Sequence, residues 1–64
     1  MQIHSTAIVH PKASLADDVE IGPFCLIGEH VTIGTGTRLL SHVTVDGWTE
    51  IGERNELHPF VSIG

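Results

Sequence analysis

VEIGPFCLIGEHVTIG, residues 19–34, contains one phrase three times over. Ile21-Gly22, Ile27-Gly28 and Ile33-Gly34 follow one another at a spacing of six, each preceded two residues earlier by Val19, Cys25 or Val31. Counting by sixes in both directions gives Ile3, Val9, Leu15, Ile21, Ile27, Ile33, Leu39, Val45, Ile51, Leu57 and Ile63, eleven aliphatic residues without a break. Ile, Leu and Val make up just over a quarter of the chain, so chance would yield this series on the order of once in a million sequences. A period of six fits neither the turn of an α-helix nor the alternation of a long strand. It fits a short strand that turns at every sixth residue, with three hexads closing one triangular coil of eighteen residues. The fold class this predicts is all-β: a parallel β-helix, a hexapeptide-repeat solenoid of about three and a half coils.

A second series, four residues after the first, runs Ala7, Ala13, Val19, Cys25, Val31, Thr37, Val43, Thr49, Asn55 and Val61, and is small or β-branched almost throughout. Gly22, Gly28, Gly34, Gly52 and Gly64 directly follow the aliphatic position. A corner is expected there, in a backbone conformation closed to residues that carry a Cβ.

Stacking by eighteen places residue i over residue i+18, one strand spacing of about 4.8 Å away. Ile3, Ile21, Leu39 and Leu57 then form one inner column, Val9, Ile27, Val45 and Ile63 the second, and Leu15, Ile33 and Ile51 the third. Three aliphatic columns facing one another fill the prism as a core, leaving no channel. The outer columns are Thr6, Phe24, His42 and Phe60; Lys12, His30 and Trp48; and Asp18, Gly36 and Arg54. Rings on two of three edges are costly to leave in water, so Phe24, His42, Phe60, His30 and Trp48 are the candidate subunit interface.

Lys12, Arg38 and Arg54 stand against eight acidic side chains, a formal net charge of −5. That balance argues against nucleic acid and anionic membrane as partners. No apolar run approaches the roughly 20 residues of a membrane span, and Met1 is not followed by a signal-peptide pattern, so no membrane insertion and a cytoplasmic location are expected. Cys25, the only cysteine, reads as a small buried hydrophobe with nothing basic nearby in sequence to make it a thiolate. His4, His10 and His58 fall at coil corners as ordinary polar residues, and His30 and His42 lie on different edges, so no metal site and no cofactor are expected. Asp17, Asp18 and Glu20 read as a solvated coil edge. The glycines recur at hexad corners and do not form a phosphate loop. Residues 1–64 read as a single β-helix segment, and the uncapped last hexad leads to the expectation that it is the N-terminal part of a longer β-helix domain.

HPKASLADDVEIGPFCLIGEHVTIG, from His10 to Gly34, resembles the opening coils of hexapeptide-repeat acyltransferases of lipid A synthesis. SHVTVDGWTEIGERNELHPFVSIG, from Ser41 to Gly64, is similar in particular to the UDP-N-acetylglucosamine O-acyltransferases that use an acyl-carrier-protein thioester. The resemblance covers essentially the whole chain. It implies a left-handed coil, an exception to the usual right-handed crossover. It also implies a homotrimer with active sites between neighbouring β-helices. A 3-hydroxyacyl group would pass from acyl carrier protein to the sugar 3-hydroxyl, with a histidine as general base. The family's catalytic and substrate-binding residues are expected beyond Gly64, so none is assigned in this chain, which alone would be inactive. The other reading is a non-catalytic β-helix used as an assembly module or shortened scaffold.

Overall fold

Six-residue hexads leave room only for strands of two or three residues, and the computed structural model, which describes residues 1–64, has eleven of them. They are β1 (Gln2–Ile3), β2 (Ile8–Val9), β3 (Ser14–Leu15), β4 (Glu20–Ile21), β5 (Leu26–Ile27), β6 (Val31–Ile33), β7 (Arg38–Leu39), β8 (Thr44–Val45), β9 (Thr49–Ile51), β10 (Glu56–Leu57) and β11 (Ser62–Ile63). Every third strand joins the same parallel sheet: β1-β4-β7-β10 in sheet one, β2-β5-β8-β11 in sheet two and β3-β6-β9 in sheet three. The register is the one the period demands, with Ile3 on Ile21, Val9 on Ile27 and Leu15 on Ile33. Amides of one coil donate to carbonyls of the next, as in Gln2 to Val19 at 3.0 Å, Glu20 to Thr37 at 3.1 Å and Arg38 to Asn55 at 2.8 Å. Long-range pairing thus satisfies the backbone without long loops.

The sheets face inward on Ile21, Leu39, Ile27, Val45, Ile33 and Ile51, joined by Val19, Cys25, Val31 and Val43 from the second series. Each buried aliphatic side chain contributes roughly 1.5–3 kcal/mol. Burial fades along each column where a coil has a neighbour on one side only, so Ile3 is exposed while Ile21 above it is buried. Thr37 is the one buried polar residue. Its Oγ1 donates to the Gly52 carbonyl at 2.7 Å and accepts the Asn55 amide at 3.3 Å.

The corners differ from expectation. Left-handed backbone is found three residues after the inner aliphatic, at Phe24 (φ 58°), His42 (φ 53°), Arg54 (φ 57°), Phe60 (φ 66°) and Gly36 (φ 75°), with Gly47 (φ 70°) on the remaining edge. The glycines that directly follow the aliphatic position have ordinary φ, and close steric approach accounts for Gly22, Gly28 and Gly34 instead. A Cβ on Gly22 would run into the Leu40 carbonyl, and one on Gly34 would lie 2.9 Å from the Gly52 carbonyl carbon. Coils stacked at strand spacing leave no room for a side chain at those points.

Candidate functional site

A residue with a Cβ loses roughly 1–2 kcal/mol in the left-handed region, and four such residues occur in this short chain. The compensation is visible at each corner, where the turned amide points along the helix axis to the coil beneath. Phe24 N–H donates to Thr6 Oγ1 at 3.0 Å, His42 N–H to the Pro23 carbonyl at 3.0 Å, and Phe60 N–H to the His42 carbonyl at 3.2 Å. On the third edge Arg54 N–H donates to the Thr35 carbonyl at 2.8 Å and Gly36 N–H to Asp18 Oδ1 at 2.9 Å.

The same geometry holds the rings one above another. Phe24 and His42 have ring centroids 5.1 Å apart, and His42 and Phe60 5.0 Å apart, forming a ladder along the edge between sheets one and two. On the edge between sheets two and three, His30 lies flat on Trp48 with centroids 3.7 Å apart and an interplanar angle of 7°. Aromatic pairs contribute about 0.5–1.5 kcal/mol each beyond area burial, the same order as the backbone cost. Stacking covers only the inner faces: Trp48 remains 85% exposed, Phe60 80% and Phe24 60%.

Both aromatic edges border sheet two. Its outward row runs Ile8, Leu26, Thr44, Ser62, with Ile8 66% and Leu26 43% exposed. The outward rows of the other sheets are polar, Gln2-Glu20-Arg38-Glu56 on sheet one and Ser14-Thr32-Glu50 on sheet three. The five expected residues therefore form two groups on one face, bridged by Ile8 and Leu26, which the hexad reading passed over. Their signal was available in the sequence: each precedes an inner aliphatic, and the two are eighteen residues apart.

Elsewhere the surface is tied up locally. Lys12 Nζ is 3.5 Å from Glu29 Oε2, and His30 Nε2 is 3.6 Å from Glu29 Oε1. Arg38 lies between Glu20 and Glu56, 3.4 Å from each, beside the one surface hollow, which is lined in part by Gln2, His4, Glu20 and Leu40. His4 and His10 accept the amides of Thr6 and Lys12 through Nδ1, both at 3.1 Å, and His58 is 3.5 Å from Glu56. Asp18 is more than a solvated edge residue: both carboxylate oxygens lie 2.7 Å from Thr35 Oγ1. Thr35 first, then the Gly36 amide, hold its carboxyl below the usual carboxylate range. No group of three or more His, Cys, Asp or Glu side chains converges on one point. No helix is long and apolar enough to cross a membrane.

Short parallel strands and stacked aliphatic columns define a hexapeptide-repeat β-helix, the architecture of the bacterial hexapeptide transferases. The chain belongs to the bacterial transferase hexapeptide family: the family model described as Bacterial transferase hexapeptide (six repeats) matches residues 1–35. It is 56% identical over 64 residues to the acyl-[acyl-carrier-protein]–UDP-N-acetylglucosamine O-acyltransferase of Syntrophobacter fumaroxidans, covering 100% of this chain and 25% of that protein. The enzyme of the same name from Thermodesulfovibrio yellowstonii is 52% identical over 63 residues, 98% of this chain and 24% of that one. The solved structure of LpxA from Acinetobacter baumannii superimposes with a TM-score of 0.94 at 58% identity, over 100% of this chain and 25% of its own. That match fixes the coil as the left-handed parallel β-helix. The chain spans about a quarter of the length of these relatives.

Proposed function

We propose that residues 1–64 are structural coils of an acyltransferase that moves a 3-hydroxyacyl group from acyl carrier protein to the 3-hydroxyl of UDP-N-acetylglucosamine, the opening step of lipid A synthesis. The observation that carries this reading is the match of the entire chain, at 58% identity and a TM-score of 0.94, to one quarter of an LpxA chain. In the reaction an imidazole takes the proton of the sugar hydroxyl, the oxygen attacks the thioester carbonyl, and the carrier thiol leaves. The chain's histidines are poorly placed for that task. His4, His10 and His58 are exposed at corners, His42 has a phenyl ring on either side, and His30 is engaged by Trp48 and Glu29. On this reading, as the family resemblance implies, the base and the nucleotide-sugar contacts belong to residues outside these 64, and the contribution of this chain is a rigid prism with a face for neighbouring subunits. The assembly is a cytoplasmic homotrimer in which Phe24, His42, Phe60, His30 and Trp48, with Ile8 and Leu26, pack against another copy.

A graft tests this reading. Residues 1–64 replace the matching quarter of the Acinetobacter baumannii protein, and acyl transfer from acyl carrier protein to UDP-N-acetylglucosamine is measured for the chimera and for the 64-residue chain. The chimera is expected to turn over and the isolated chain to be silent. A folded chimera without activity, or turnover by the isolated chain, overturns the assignment.

A further inference from the structure

Side chains from three coils meet on the edge between sheets two and three, where residues 10–12, 28–30 and 46–48 stack in that order. Lys12 Nζ lies 3.5 Å from Glu29 Oε2, and His30 Nε2 lies 3.6 Å from Glu29 Oε1. The His30 ring rests on Trp48 of the next coil, with centroids 3.7 Å apart and planes 7° from parallel. Hydrogen bonds within the chain seat that stack: Thr49 N–H donates to the His30 carbonyl at 3.3 Å, and Thr49 Oγ1 to the Asp46 carbonyl at 2.7 Å. One imidazole thus meets a carboxylate at its edge and an indole on its face.

We propose that His30 is a pH switch built into this edge, a clasp that closes when the ring takes a proton. At 3.6 Å the ring has no hydrogen bond to Glu29, so in its neutral form stacking on Trp48 is what holds it. A proton strengthens both contacts at once. Nε2–H and the Glu29 carboxylate become a charge-assisted pair, and positive charge comes to lie over indole, the side-chain face that attracts cations most strongly. The charged ring draws Glu29 of its own coil and Trp48 of the next onto one centre, while the second oxygen of Glu29 stays with Lys12 in the coil beneath. Imidazole ordinarily changes charge around pH 6.5. The extra grip is therefore present on the acid side of that range and lost as pH rises through it. It belongs to the single chain and needs no second copy.

The charges around the ring favour this direction. Lys12 opposes a second positive charge, but its ammonium is largely exposed and turned to the far oxygen of Glu29. Asp46, on the corner above, holds its carboxyl over Gly28 and adds negative charge to the same edge. His10 is occupied at its own corner, where Nδ1 accepts the Lys12 amide at 3.1 Å. Of the flanking strands, β2, β5 and β8 carry no ionisable side chain, and β3, β6 and β9 carry only Glu50, on the outward row of sheet three. No other histidine combines the two contacts. His42 has phenyl rings on both sides without an ion pair, and His58 has Glu56 at 3.5 Å without a ring.

Trp48 is the only tryptophan and the chain has no tyrosine, so its emission reports on this corner alone. A stacked imidazolium accepts an electron from excited indole far better than the neutral ring does. The chain is titrated from about pH 8 to about pH 5.5, across the imidazole range and above the carboxylate one, with circular dichroism to follow the β-sheet. The expected result is a loss of Trp48 emission in a single step, at unchanged β-sheet signal. His30→Gln is expected to abolish the step and Glu29→Gln to move it to lower pH. Urea unfolding then separates a switch from a proton that binds without consequence: the midpoint of the parent should exceed that of His30→Gln by more at the acid end than at the alkaline end. A folded parent whose emission ignores pH overturns the proposal by itself, whatever the variants do. So does a step that survives in His30→Gln or stays in place in Glu29→Gln, or an equal gap in urea midpoint at both ends.

Discussion

At Asp18 a carboxylate takes the place of a carbonyl that the corner geometry needs. Arg54 and His42 donate their turned amides to main-chain carbonyls of the coil beneath, but Gly36 donates to the Asp18 side chain, which Thr35 also clamps. The hydrogen bonds favour the charged form, so the folded-state pKa is depressed. By linkage a depressed pKa means stability that is fully present above the unfolded value and is lost as pH falls through the lower folded value. The midpoint of urea unfolding should therefore drop for Asp18→Asn at neutral pH. The gap to the parent chain should close in strong acid, where the carboxyl is protonated in both states; an equal gap at both pH values would show that charge plays no part. In the sequence Asp17 and Asp18 look alike, and only the position of Thr35 one coil above singles out the second.

Among the strands and corners, the hexad glycines form a real pattern whose cause differs from the one expected. The period placed a glycine after the inner aliphatic, and conformational freedom was the obvious reason for it. The structure assigns the freedom to other residues and gives Gly22 and Gly34 a steric role, with the coil above pressed onto the position of their missing Cβ. Gly22→Ala is thus expected to push β4 and β7 apart around the Leu40 carbonyl and to destabilise the fold by about 2 kcal/mol or more, as overpacking does. Gly52→Ala, where the nearest atom would be the Asn55 amide nitrogen at an ordinary 3.6 Å, should cost far less. Thermal unfolding of the two variants side by side measures the difference, and equal midpoints would return the explanation to backbone conformation.

For the molecule as a whole, the deciding feature is that the two aromatic edges border the same sheet. Phe24, Phe60, Ile8, Leu26 and Trp48 are exposed apolar side chains on or beside sheet two, whose outward row ends in Thr44 and Ser62, while the outward rows of the other two sheets are polar. Large rings at the centre of an interface often contribute 2 kcal/mol or more each, which corresponds to a shift of more than about tenfold in dissociation constant. Sedimentation equilibrium on the parent chain should find an assembly, and Phe60→Ser with Trp48→Ser should move its dissociation to at least about tenfold higher concentration. A parent chain that sediments as a monomer, or a double variant with unchanged mass, contradicts the assignment of this face.

By itself the sequence determined the coil, the strand positions, the three inner columns and the membership of each outer column. It could do so because one period of six governs which side chains face the core, and three hexads per coil then set what stacks on what. It also carried the family resemblance and pointed to the ring-bearing edges. Tertiary structure alone decided that those edges flank one face with Ile8 and Leu26 between them, since a repeat says which residues share a column but not how columns combine into a surface. It alone decided that Phe24, His42, Arg54 and Phe60 bear the left-handed backbone. Those conformations are set by the direction in which each corner amide finds an acceptor in the coil below, and that distance does not exist until the coils are stacked.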